Sequence, residues 1–209
     1  MKKTIRTLAA AMTLFAVAAL PIVAQSDAHA VLRSRDGVVV VWNESDAHFT
    51  IEIPGKTILP SNVGGLAMLV DGWHLQVVVS DPSEYGQGLL GGELLWSHAK
   101  WEAEHWSTLA GVKMKPSPIA AEGSLPPEFR LWEIRWPDDA TKERKIKSKT
   151  DLFSSTLVGD RIVALNLTVM EDQDEALAQK LLAHLSATLY RRAGMIPIAE
   201  VQQALENEG

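Results

Sequence analysis

His98, Glu102 and His105 stand at i, i+4 and i+7 within GELLWSHAKWEAEHWSTLAG, Gly92 to Gly111. On a helix this spacing stacks three side chains along one face. Two imidazoles and a carboxylate are ligands for Zn²⁺ or another divalent cation, with a position left open for water. The spacing is not HExxH, and His98 and His105 lie about two turns apart. One ion would therefore draw on His98 with Glu102, or on Glu102 with His105. The plainer reading is a set of partly exposed groups pairing at the rim of the core, as i,i+4 pairs on helix surfaces commonly do. Trp101 lies beside them, off the core-facing arc. If exposed, it is an aromatic anchor for a partner or a flat ligand. The alternative is burial under the proline-rich segment Lys115 to Pro127.

A second cluster is basic. Lys142, Arg144, Lys145, Lys147 and Lys149 crowd one connection of an acidic chain. They form a candidate patch for an anionic partner, or a solvated tip whose lysines discourage strand pairing. Nucleophilic catalysis has little to work with. No G-x-S-x-G elbow occurs, and the absence of Cys removes disulfides, thiolate zinc sites and a Cys nucleophile. No acid–base constellation stands out, so the chain reads as a non-enzyme that needs no cofactor, with a divalent metal as the alternative.

The ends bound the setting. Lys2, Lys3 and Arg6 precede an apolar run, and Ala28-His29-Ala30 supplies a small-x-small cleavage site. This is the layout of a secretory signal peptide over residues 1–30, cut after Ala30, and it points to the periplasm or the exterior. The apolar stretch Leu8 to Ala24 contains Pro21 and is shorter than the ~20 residues that span a bilayer. The cut would take Lys2, Lys3, Arg6 and Asp27 from the 20 basic and 26 acidic residues, leaving 17 and 25, a net charge of −8. Such a chain is a poor partner for nucleic acid, whose phosphates would repel it.

The remaining chain, 31–209, reads as a single domain with its core in 38–192 and a peripheral segment at 195–209. Val31 to Asp36 reads as a lead-in. Val38 to Trp42 is β-prone, and Phe49, Ile51 and Ile53 alternate with Thr50 and Glu52. Asp71-Gly72 and Gly159-Asp160 are two-residue hairpin signals between apolar runs. In Phe129 to Trp136, Trp132, Ile134 and Trp136 share one face. On a helical wheel, Leu95, Trp96, Ala99, Ala103, Trp106 and Ala110 form the arc that must face a sheet. A last helix begins at Asp172 with Glu175 as a capping pair, carries Leu177, Leu181, Leu182, Leu185 and Leu189, and ends at Gly194. The outcome is an α+β fold: a mainly antiparallel sheet of about six to seven strands, with a long central helix and a C-terminal helix packed on it.

Three stretches carry a resemblance: the strand Phe49 to Pro54, WHLQVVVSD (Trp73 to Asp81) leading to the central helix, and the strand pair turning at Gly159-Asp160 before an amphipathic helix. In this order they resemble the Mog1/PsbP-like superfamily over Val38 to Arg192. The resemblance implies an α/β/α sandwich and a non-catalytic accessory or binding role, with no site residue to carry over. The expected function is a non-enzymatic exported accessory protein of the bacterial envelope, whose partner is an envelope protein or a small ligand. The alternative is a divalent-metal-binding protein using a His/Glu pair on the central helix.

Overall fold

Tight turns fold the strands back on their neighbours throughout. The computed structural model describes residues 28–61, 66–120, 125–138 and 148–207. Its first three strands are β1 (His29–Ser34), β2 (Gly37–Glu44) and β3 (Ala47–Pro54). Then come β4 (Ile58–Pro60), β5 (Leu66–Val70) and β6 (Trp73–Ser80). Helix α1 (Gly91–Ala110) separates these from β7 (Pro116–Pro118), β8 (Arg130–Arg135), β9 (Ser148–Val158) and β10 (Arg161–Met170). Helix α2 (Glu175–Ala187), the two-residue β11 (Tyr190–Arg191) and helix α3 (Ile198–Asn207) complete the chain. Asp71 and Gly72 both take positive φ, 47° and 89°, as a two-residue hairpin turn requires.

Two antiparallel sheets result, one ordered β1-β2-β3-β11 and the other β4-β5-β6-β10-β9-β8-β7. The main core lies between them. Val38, Val40, Phe49, Ile51 and Ile53 of the smaller sheet meet Leu75, Val77, Leu152, Val163, Leu165 and Leu167 of the larger. Helix α2 closes the same layer with Ala178, Leu182 and Leu185. Helix α1 lies on the opposite, outer face of the seven-stranded sheet. Its Ala99, Ala103 and Ala110 pack on Trp132, Ile134 and Phe153. The α+β class, the antiparallel sheets and the helices packed on them are as the sequence implies.

Several expectations are corrected. Eleven strands occur among the described residues, because β4, β7 and β11 are too short to leave a period-two signal. The Val31 to Asp36 stretch is no lead-in: it falls mostly in β1, and Ala30 is only 1% exposed, paired with Val41. A cut after Ala30 would therefore shorten a buried strand. Helix α2 is capped by Asp174, whose carboxylate accepts from Ala176 and Leu177 N–H, and not by Asp172. The Glu175 carboxylate is drawn instead to Arg135 and Lys149. That helix ends at Ala187 with Thr188 as its cap, well before Gly194, and Leu177 is 54% exposed. The C-terminal segment is tied in: Asn43 donates to Ile196 O and accepts from Ile196 N, both at 2.8 Å. Ile198, Val201 and Leu205 then cover the outer face of the small sheet.

Candidate functional site

The wheel drawn for α1 describes its packing well. Leu95, Ala99, Ala103 and Ala110 are buried, Trp96 packs at the margin of the cluster they form with the sheet, and Trp106 meets Trp136 at 5.9 Å. The small alanines let the helix approach Trp132 and Phe153, which stack 3.9 Å apart. Gly111 ends the helix in the left-handed region at φ 70°, its N–H returning to Ser107 O. Leu90 enters it without a side-chain cap.

The three chemistry-bearing residues separate. His98 is 0% exposed, not at the rim, and sits between the edges of Tyr85 and Trp132. Its Nε2 lies 3.5 Å from Glu102 Oε1, but neither ring nitrogen completes a hydrogen bond. One turn beyond Glu102, His105 turns outward and lies flat on Trp101, ring planes 2° apart and centroids 5.3 Å apart. His98 with Glu102 is therefore the pair that the fold brings together, and His105 belongs to Trp101. Among the described residues no three His, Cys, Asp or Glu side chains converge as a metal site would require.

Trp101 is 40% exposed, and its ring meets that of Tyr85 edge-on at 5.4 Å. Tyr85 is itself buried and ends the short turn Pro82–Glu84, where Asp81 accepts from Ser83 N–H. Its carbonyl takes the Ser97 hydroxyl, fastening the turn to α1. Burial, with help from the carboxylates of Glu84, Glu102 and Asp81, raises the pKa of the Tyr85 hydroxyl and keeps the phenol neutral. The flank of α1 thus presents a row of Tyr85, Trp101 and His105 held ring to ring, with exposed Leu109 one turn further on. Such a row suits flat or apolar contact, not proton transfer.

Of the basic cluster, Lys149 reaches Glu175 at 3.1 Å. Lys142, Arg144, Lys145 and Lys147 lie outside the described residues.

Sequence reasoning missed two participants. Tyr85 sits in a stretch with no periodicity, so nothing pointed its ring at α1. Asp151 left a signal that was not taken up: a carboxylate inside the otherwise uncharged strand TDLFSSTLV. It is buried on the outer face of the large sheet, where Trp136 Nε1 and Thr168 Oγ1 each donate to it at 2.6 Å. Burial raises its pKa against the opposing effect of these donors.

No family model matches the chain, and no curated protein matches it. Among solved structures it is similar to cyanobacterial PsbP (CyanoP) from Synechocystis sp. PCC 6803, in solution. The TM-score is 0.47 at 13% identity, over 74% of this chain and 92% of that one. The likeness concerns fold alone.

Proposed function

We propose that the protein is a non-enzymatic, exported accessory or binding protein of the bacterial envelope, and that it meets a protein partner through the Trp101 flank of α1. The observation that carries this reading is the fixed aromatic row. Trp101 is exposed yet braced on both sides by Tyr85 and His105. An aromatic side chain already held in one conformation loses little entropy on binding, and such residues dominate contact energy. The basic n-region, apolar run and small-x-small site support export. No helix among the described residues is long and apolar enough to cross a membrane.

The test is an in-cell photo-crosslinking experiment in the native host, with the probe beside Trp101, compared between the parent chain and Trp101→Ala. A matched probe beside Leu59, exposed on the far edge of the large sheet, serves as control. The reading expects a discrete crosslinked species that Trp101→Ala abolishes and the Leu59 probe never yields. Identical products from all three would sink it. N-terminal sequencing of exported protein reads the cleavage point. A chain starting at Val31 would lack Ala30 and also the Ala28 carbonyl that accepts from Asn43 N–H.

A further inference from the structure

The helix covers only part of the outer face of the seven-stranded sheet. Over β5, β6 and β10 that face carries a pocket of about 270 Å³ lined by His74, Gln76, Ser148, Asn166, Thr168 and Met170. Its volume corresponds to about nine water molecules at ~30 Å³ each. That is just under the lower end, about 300 Å³, of small-molecule sites.

Register explains how these side chains meet. Gln76 pairs with Asn166, and His74 with Thr168, so all four project to one side. Ser148 joins them through an irregularity. Val169 pairs with Thr150, but Met170 pairs with Ser148, so Lys149 is an extra residue. Thr150 keeps to the inner side and donates to Ile134 O. By simple alternation Ser148 would share that side; the bulge turns it to the side of Met170 and Thr168, as bulges re-aim side chains elsewhere.

The pocket's polar atoms are incompletely used. Ser148 is 6% exposed, and its Oγ is buried with no hydrogen-bond partner among the described residues. A buried hydroxyl without a partner is destabilising and calls for an explanation. Thr168 donates its hydroxyl proton to Asp151, which leaves its oxygen as an acceptor. Asn166 donates its amide N–H to Leu152 O, which leaves its side-chain carbonyl to accept. Apart from His74, no described lining residue is titratable. A cation would leave water with no carboxylate in the lining to meet it, and an anion with no group but the exposed His74.

We propose that this pocket binds a small, uncharged, polyhydroxylated molecule of monosaccharide size. Its hydroxyls donate to Thr168 and Asn166 and accept from Ser148. Its C–H face lies on Met170. This site is separate from the Trp101 flank, and neither depends on the other.

The test uses the full exported chain with ¹³C-methyl-labelled methionine, titrated with glucose, N-acetylglucosamine and glycerol as neutral probes and glucose 6-phosphate as the charged one. At least one neutral probe should move the Met170 methyl resonance saturably, and glucose 6-phosphate should bind more weakly than glucose. Ser148→Ala should weaken the neutral probe roughly five- to tenfold, the loss of one hydrogen bond. It should also leave the melting temperature unchanged or higher, because the orphaned hydroxyl is gone. That pairing of weaker binding with undiminished stability separates a binding role from a structural one. Three results would each overturn the proposal: no movement of Met170 with any neutral probe up to high millimolar concentration, tighter binding of glucose 6-phosphate, or unchanged affinity in Ser148→Ala.

Discussion

The outer face of the large sheet has two halves built on the same hydrogen-bonded rows. One row runs Gln76, Asn166, Phe153, Trp132; the next runs His74, Thr168, Asp151, Ile134. Under α1 the rows end in Trp132, Phe153 and Ile134, packed dry against alanines. Beyond the helix they end in amides, a hydroxyl and an imidazole around an open pocket. The backbone is alike in both halves. What differs is whether a helix covers the residues, and the side-chain polarity follows from that. Asp151 lies on the seam: it accepts from Trp136 on the helix side and from Thr168 on the pocket side.

The contrast can be broken most forcefully from the covered half. Trp132→Ala removes a fully buried ring that stacks on Phe153 and donates to Ser155 Oγ. Urea unfolding should show a loss of about 3–5 kcal/mol. A loss under about 1 kcal/mol would mean that the covered half is not close-packed. Ala103→Leu tests the same packing from the helix. Ala103 is buried against the sheet, so added methylenes should destabilise by about 1–3 kcal/mol, with disturbed near-UV ellipticity of the tryptophans.

Asp151→Asn tests the seam through pH. The folded pKa of Asp151 is raised above its ordinary value of 3.8 by burial, so the folded chain binds its proton more readily than the unfolded chain. The resulting penalty is absent below 3.8, where both states are protonated, grows as pH rises from 3.8 to the folded value, and is constant above it. Wild type should therefore lose stability relative to Asp151→Asn on going from acid to neutral pH. Parallel stability–pH curves would contradict a buried, ionising Asp151. The Glu175 pKa is lowered, chiefly by its hydrogen bond from Arg135. It contributes the opposite slope in both proteins, lost as pH falls below 4.5, and cancels in the difference.

The smallest effect belongs to the open half. His74→Ala, at an exposed position lining the pocket, should shift stability by no more than about 0.5 kcal/mol. A larger loss would show that the pocket wall is structural.

The sequence alone determined the elements whose signal is local. Asp71, Gly72 and Gly159 take positive φ, which these residue types tolerate, so both hairpins could be placed from residue type. Apolar spacing in α1 picked out the buried Leu95, Ala99, Ala103 and Ala110, with Trp96 and Trp106 half-buried beside them. Only the tertiary structure decided what each exposed or polar group does, because those outcomes depend on neighbours distant in the chain. Spacing puts His98 at the rim, yet it is sealed by Trp132, which no spacing rule places over it. Spacing makes Glu175 half of a cap, yet it is captured by Arg135, which is 40 residues earlier. Ser148 faces the pocket only because the pairing with β10 slips by one residue, and a slip in register leaves no mark in hydrophobic periodicity.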